Sequence, residues 1–311
     1  MTTPSHSSVR PRRRLVRWLQ LAALPLVLSA CTATPSSTVS SGLPEPSTLA
    51  SSVPEVTSTA SESAEAGTQA QVYWIGQTGG NAYLFSETRK IDKSNDPVTS
   101  ALRVMMSEKP LDPDYFTAWQ PPQRLAASIT DTAGITVDVS SDAFSKNLDP
   151  SMAKRAVQQL VFTAVSAARA SGMVDSVIEP NVTVLVDGRN DVKAFGSISL
   201  AAPFHRDTAY LSPLRLTDLQ EGASLHSGQV TFRGIVLGKG TEVHWTVNRV
   251  DGSSNETSFA KGLTSVTAQE QGVGQFAVTV QLPPGKYELI AGITGPGTAP
   301  DIQDSKTVVV G

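Results

Sequence analysis

The 311-residue chain carries 25 Lys and Arg against 28 Asp and Glu, a formal charge of −3, with one cysteine and 40% hydrophobic residues. An acidic balance without a basic stripe argues against nucleic acid as a partner, and a lone cysteine leaves no internal disulfide. The length suits one large domain or two ordinary ones.

In chain order, Arg10, Arg12, Arg13, Arg14 and Arg17 form a positive start, Leu19 to Leu28 an apolar run interrupted by Pro25, and Leu28-Ser29-Ala30-Cys31 a small-residue cleavage site. This is the layout of a bacterial lipoprotein signal. The apolar run is about half of the ~20 residues that a membrane-spanning helix needs. Residues 1–30 are therefore expected to be removed. Cys31 then becomes the acylated N-terminus, anchored to the outer face of the cell membrane by more than one chain. An ordinary thiol beside a conventional cleavage site is the competing reading. Arg12-Arg13-Arg14 also raises the twin-arginine route, but Leu15-Val16 departs from that signal's usual ending and general secretion fits better. Cleavage takes five arginines and no acid, so 25 basic and 28 acidic residues become 20 and 28, a formal charge of −8.

Residues 31–69 hold Cys31 and then a stretch of Ser, Thr, Pro and Ala with neither helical nor strand periodicity. Its only charges are Glu45, Glu55, Glu62 and Glu65. The composition predicts a disordered tether stiffened by Pro35, Pro44, Pro46 and Pro54, a plain spacer in preference to a glycan carrier.

Order is expected from residue 70. Val72-Tyr73-Trp74-Ile75 reads as a strand closed by Gly79-Gly80-Asn81. Asp96-Pro97 supplies a cap and first-turn proline for a helix with Ala101, Leu102, Met105 and Met106 on one face, stopped at Lys109-Pro110. Ile135 to Ser140 alternates strictly, with Ile135, Val137 and Val139 inward and Asp138 outward. A longer helix opens at Asp149-Pro150, its buried stripe running from Ala153 to Ala168. Val182 to Val186 forms another strand, ending at Asp187-Gly188. The order predicts an α+β domain over 70–206, a sheet with its two main helices on one face.

Past Arg206 the helical period gives way to short alternating runs, the pattern of an all-β immunoglobulin-like sandwich over 207–311. The runs are Val230 and Phe232 to Gly234; Val243, Trp245 and Val247; Phe276 to Leu282; Tyr287 to Ala291; and Thr307 to Val310. Gly238-Lys239-Gly240, Asp251-Gly252 and Pro283-Pro284-Gly285 supply turns. Trp245 is expected to be buried at the centre of this core, and His244 beside it to face solvent.

Val72-Tyr73-Trp74, Asp96-Pro97 to Leu102, Gly134 to Ser140, Gln159-Leu160-Val161-Phe162-Thr163, Val186-Asp187-Gly188 and Pro203-Phe204-His205-Arg206 together resemble the GerMN domain. That family is known from sporulation and spore-germination proteins and from actinobacterial envelope lipoproteins. The resemblance covers about residues 70–206. Glu108-Lys109-Pro110 departs from the family's common Gly-Pro after the first helix. The second region is similar to the immunoglobulin-like domain of bacterial spore-germination proteins, through Leu211-Ser212-Pro213, Gly222, Val230 to Gly234, Val243-His244-Trp245, Asp251-Gly252, Gly274-Gln275-Phe276 and Gly285 to Leu289. The resemblance implies an envelope protein that works by contact, in assembly, sensing or wall-associated processes, and brings no catalytic residues.

The chemistry-bearing residues of the chain are likewise scattered. His205-Arg206-Asp207 has the letters of a kinase loop without its downstream Asn or a preceding glycine-rich loop, and the resemblance implies that it is an interdomain linker. Gly234 to Lys239 is one residue short of a phosphate loop and reads as a strand entering a turn. His6, His205, His226 and His244 stand at no metal-ligand spacing. Asp138 and Ser140 lie on the polar side of a strand, best read as a solvated face. Apart from lipidation at Cys31, no catalytic, cofactor-binding or metal residue is expected. The function expected is a non-catalytic binding or scaffolding lipoprotein of the cell envelope, partnered by the membrane through Cys31 and by an envelope protein or the wall. The alternative is a cell-wall enzyme or small-ligand receptor with its site between the two domains.

Overall fold

A computed structural model describes residues 68–92, 96–130, 134–144, 148–175, 177–238, 242–251, 256–268, 272–295 and 301–311. Residues 1–67, with the expected signal, Cys31 and nearly all of the expected tether, lie outside the described residues, as do parts of the expected turns at Gly238 to Gly240 and Asp251-Gly252; Thr68 and Gln69, expected in the tether, are already strand. The described residues are mostly β with two α-helices. No helix among the described residues is long and apolar enough to cross a membrane.

The first half opens with a hairpin of β1 (Thr68–Thr78) and β2 (Asn81–Ile91), joined through Gly79 and Gly80. Both glycines have positive φ, 59° and 74°, as a tight two-residue turn between twisted strands requires. The short β3 (Tyr115–Phe116) pairs on the other side of β1. A second sheet holds β4 (Leu125–Ile129), β5 (Ile135–Val139) and β6 (Val182–Val186). β5 and β6 run parallel, so a crossover must connect them, and α2 (Pro150–Ala170) is that crossover.

Both helices begin as expected. Asp96 accepts from Thr99 N at 3.0 Å at the head of α1 (Pro97–Ser107), and Asp149 accepts from Ser151 N and Met152 N, each at 3.0 Å, at the head of α2. Ala101, Leu102, Met105 and Met106 are all buried, as are Ile135, Val137 and Val139. The single expected sheet is corrected to two three-stranded sheets and a short pair of β7 (Lys193–Ala194) and β8 (Ile198–Ser199), which share one core with both helices. The reason lies at the open edge of β1. Buried Gln159 donates to Tyr73 O at 2.9 Å, and buried Thr163 accepts from Tyr73 N at 3.1 Å. A helix thus takes the place that a further strand would occupy, satisfying backbone groups that a bare edge would leave open.

The second half has its own core between two sheets. One holds β9 (Leu214–Leu216), β11 (Gly228–Leu237), β15 (Val273–Leu282) and the short β14 (Thr267–Ala268). The other runs β10 (Ala223–Leu225), β17 (Ile302–Val310), β16 (Gly285–Ile293), β12 (Glu242–Val250) and β13 (Glu256–Ser265). Trp245 corrects the expectation: it is half-buried at the margin of this core. The centre is taken by Phe232 and Tyr287, both 0% exposed. The indole meets Phe232 edge-on at 6.5 Å and covers Gly262 of β13, where a Cβ would stand 2.7 Å from the ring.

Candidate functional site

The two halves meet through charge. On β2, Glu87 points inward and is 6% exposed, and it accepts from Leu111 N at 3.0 Å and Asp112 N at 2.9 Å. Arg89 lies beside it, donating to Lys109 O at 3.0 Å and pairing with Glu108. These two side chains shape the turn after α1. Glu108 caps the helix in extended geometry, φ −100°, so Glu108-Lys109-Pro110 serves without the family's glycine.

The turn presents Asp112 and Tyr115 to β17. Lys306 Nζ is 2.6 Å from Asp112 Oδ2, 2.8 Å from the Tyr115 hydroxyl and 3.3 Å from Asp304 Oδ1. The Tyr115 hydroxyl donates to Asp304 Oδ1 at 2.7 Å, and Leu216 N donates to Asp304 Oδ2 at 2.7 Å. Lys306, Asp112 and Asp304 are 4%, 3% and 6% exposed. Charges so far from water persist only when paired and hydrogen-bonded, and each of these is. Burial works against the Lys306 charge, but Asp304 and Asp112 outweigh it and raise its pKa. Burial, with Asp304 and Asp112, pushes the Tyr115 hydroxyl well above the usual phenol range, so it stays a donor.

Around this lock, Gln303 N donates to Thr78 Oγ1 at 2.7 Å, and Ser212 N to Leu84 O at 3.1 Å. Leu211 joins Ile75, Leu84 and Phe162 in a small apolar cluster. Together the halves belong to one compact unit, Ser61–Gly311. Beside the lock a cleft of about 250 Å³ opens between them, lined by Asp112, Asp114 and Tyr115 from the first half and Glu288, Gln303 and Asp304 from the second. Burial and then Asp112 raise the Asp114 pKa. Burial, Glu256 and Asp114 raise that of Glu288, against a lowering hydrogen bond from Asn248.

The residues singled out from sequence lie elsewhere. Asp138 accepts from Gly188 N at 2.9 Å. Ser140 is not solvated: it is 5% exposed, accepts from Arg124 N at 3.0 Å and donates to Asp142. His205 and His226 are exposed. His244 does not face solvent freely: it is half-buried, with Nε2 3.6 Å from Asp301 Oδ2. None of the three lines the cleft. No group of three metal-ligating side chains occurs among the described residues. Gly234 sits inside β11, paired with Phe276 and Leu216, not in a phosphate loop. Arg206 of the linker grips Glu179 with two bonds of 2.7 Å, while Asp207 caps the following turn.

A strand read only from Thr307 leaves Asp304 and Lys306 outside it. The alternation of β17 begins at Ile302, and Ile302, Asp304, Lys306, Val308 and Val310 are all buried. Two charges in an inward column are the signal that could have found them.

Residues 71–192 match the family model Germane, described as sporulation and spore germination. That segment is a Germane domain, as the resemblance led one to expect. The first GerMN domain of the sporulation protein GerM from Bacillus subtilis is similar, at 17% identity and a TM-score of 0.35, over 44% of this chain and 97% of that one. The tandem GerMN domains of the same protein are similar at 16% identity and a TM-score of 0.35, over 69% of this chain and 60% of that one. No curated protein matches the chain.

Proposed function

We propose that this chain is a lipid-anchored protein of the outer face of the cell membrane that acts by binding or scaffolding and catalyses nothing. In this reading Cys31 carries the lipid and residues up to 67 form a spacer. The halves 68–206 and 207–311 then present one rigid surface to an envelope protein or wall component. The observation that carries it is the lock of Lys306, Asp112, Asp304 and Tyr115, which joins a Germane domain to its neighbour at a fixed angle. A fixed angle suits a part that must hold two contacts in register.

For the second half we propose the immunoglobulin-like plan. Taking β9, β11, β12, β13, β15, β16 and β17 as strands A, B, C, C′, E, F and G, the sheets run E-B-A and G-F-C-C′, the order of that fold. The Tyr287 hydroxyl donates to Pro283 O at 3.0 Å, the corner that a tyrosine near the start of strand F makes in such domains.

Radiolabelled fatty acid fed to cells expressing the wild-type chain and Cys31→Ser tests the anchor: label only in the wild type supports it, and equal labelling in both removes it. Crosslinked envelopes then test the binding role. Recovery of one specific partner, compared with an unrelated lipoprotein bait, supports scaffolding; its failure, or turnover of wall fragments by the purified chain, counts against it.

A further inference from the structure

After α2 the chain returns to β6 through a loop that turns apolar side chains outward. Met173 is 47% exposed, Ile178 58% and Val177 87%, while Val174 between them is buried in the core. The loop's described backbone is tied at three points. Met173 N donates to Ala168 O at 2.9 Å, Asp175 accepts from Val177 N at 2.7 Å, and Arg169 donates to Ile178 O at 3.2 Å. Its carboxylate Glu179 is held by both Arg206 and Arg169, and the Arg206 bond keeps its pKa low. Met173, Val177 and Ile178 are thus each held by a backbone hydrogen bond, and the two arginines beside them are already engaged.

The position of the loop follows from the direction of α2. At its start Arg155 reaches Ala82 O, and Ala82 pairs with Gln77 near the hairpin turn. Further on, Gln159 and Thr163 bond to Tyr73. The helix therefore runs antiparallel to β1, and its C-terminus, with the loop, comes to the end where β1 begins at Thr68. Residues 1–67 join the described fold at that same end.

We propose that Met173, Val177 and Ile178 form a membrane-contacting tip, seated at the boundary of headgroups and acyl chains of the bilayer to which Cys31 is attached. The proposal rests on the acylation of Cys31. Tethering through residues 32–67 keeps lipid at high local concentration, so a few apolar side chains suffice where free association would be marginal. The occupant is the apolar boundary of the lipid and not an anionic headgroup cluster, because Arg169 and Arg206 are spent on Glu179.

The test uses the full chain, whose only cysteine is Cys31. Val177→Cys and Asn81→Cys, the latter at the opposite hairpin turn, are isolated in lipidated form, labelled with a polarity-sensitive fluorophore and reconstituted into phosphatidylcholine vesicles. Position 177 is expected to emit to the blue of position 81 and to be quenched several-fold more by brominated lipid. Equal, water-like emission from both overturns the proposal, as does shielding of position 177 that needs added envelope protein. Dye uptake by the wild-type chain means a free Cys31 thiol and overturns the anchor instead. The loop is then judged on Cys31→Ser chains carrying Val177→Cys or Asn81→Cys and tethered to the same vesicles through an N-terminal His tag and a nickel-chelating lipid: emission of position 177 to the blue of position 81 upholds the tip, and equal, water-like emission overturns it.

Discussion

Lys306 and Asp112 lie 194 residues apart in sequence and 2.6 Å apart in space, each with about a twentieth or less of its surface exposed. Removing one partner strands the other charge away from water, a loss on the order of 3–5 kcal/mol. Lys306→Met should therefore destabilise the chain more than Lys306→Met with Asp112→Leu. Denaturant melts of the two single variants and the double variant measure the coupling, and additive losses would mean that the pair does not interact.

The cleft makes stability depend on pH in one direction. Asp114 and Glu288 have pKa values raised above 3.8 and 4.5. Their folded forms hold protons more tightly than the unfolded chain does, so the stability they contribute is fully present below those ordinary values. It is lost as pH rises through the folded ones. Asp114→Asn and Glu288→Gln are expected to stabilise the chain at neutral pH and to flatten the rise in stability that the wild type shows on mild acidification. Melts across that window read the slope.

Glu179 has the opposite sign. Arg206 lowers its pKa below 4.5, so its contribution is present above the unfolded value and is lost as pH falls through the folded one. Glu179→Gln should lower stability at neutral pH and leave strongly acidic conditions unaffected, which the same melts detect.

Gly234 answers to space rather than to a ligand. A Cβ there would lie 2.4 Å from the Phe276 ring and 2.5 Å from the Arg215 carbonyl oxygen. The oxygen belongs to backbone and cannot swing aside, so Gly234→Ala should cost about 1–3 kcal/mol as overpacking. A thermal melt unchanged from wild type would refute it.

Much of the first half was legible because its signals are local. Asp96-Pro97 and Asp149-Pro150 mark helix starts by cap chemistry alone, and Ile135, Val137 and Val139 declare a face by period. β2 was not, since Glu87 and Arg89 break its apolar alternation and find their purpose only against Leu111, Asp112 and Glu108, some twenty residues on. β13 was hidden for another reason. It is an edge strand with Phe259 and Leu263 exposed, so no buried column marks it. The lock was least legible of all, because Asp304 and Lys306 look like surface residues until a partner from the other half covers them.

The seam also orders events in time. Asp112 and Tyr115 emerge during synthesis long before Asp304 and Lys306, so a nascent first half has to exist with its docking carboxylate bare and its α1 turn unmated. Only when β17 arrives does the counter-charge arrive too, and the last strand of the second half thereby acts as the latch that completes the first.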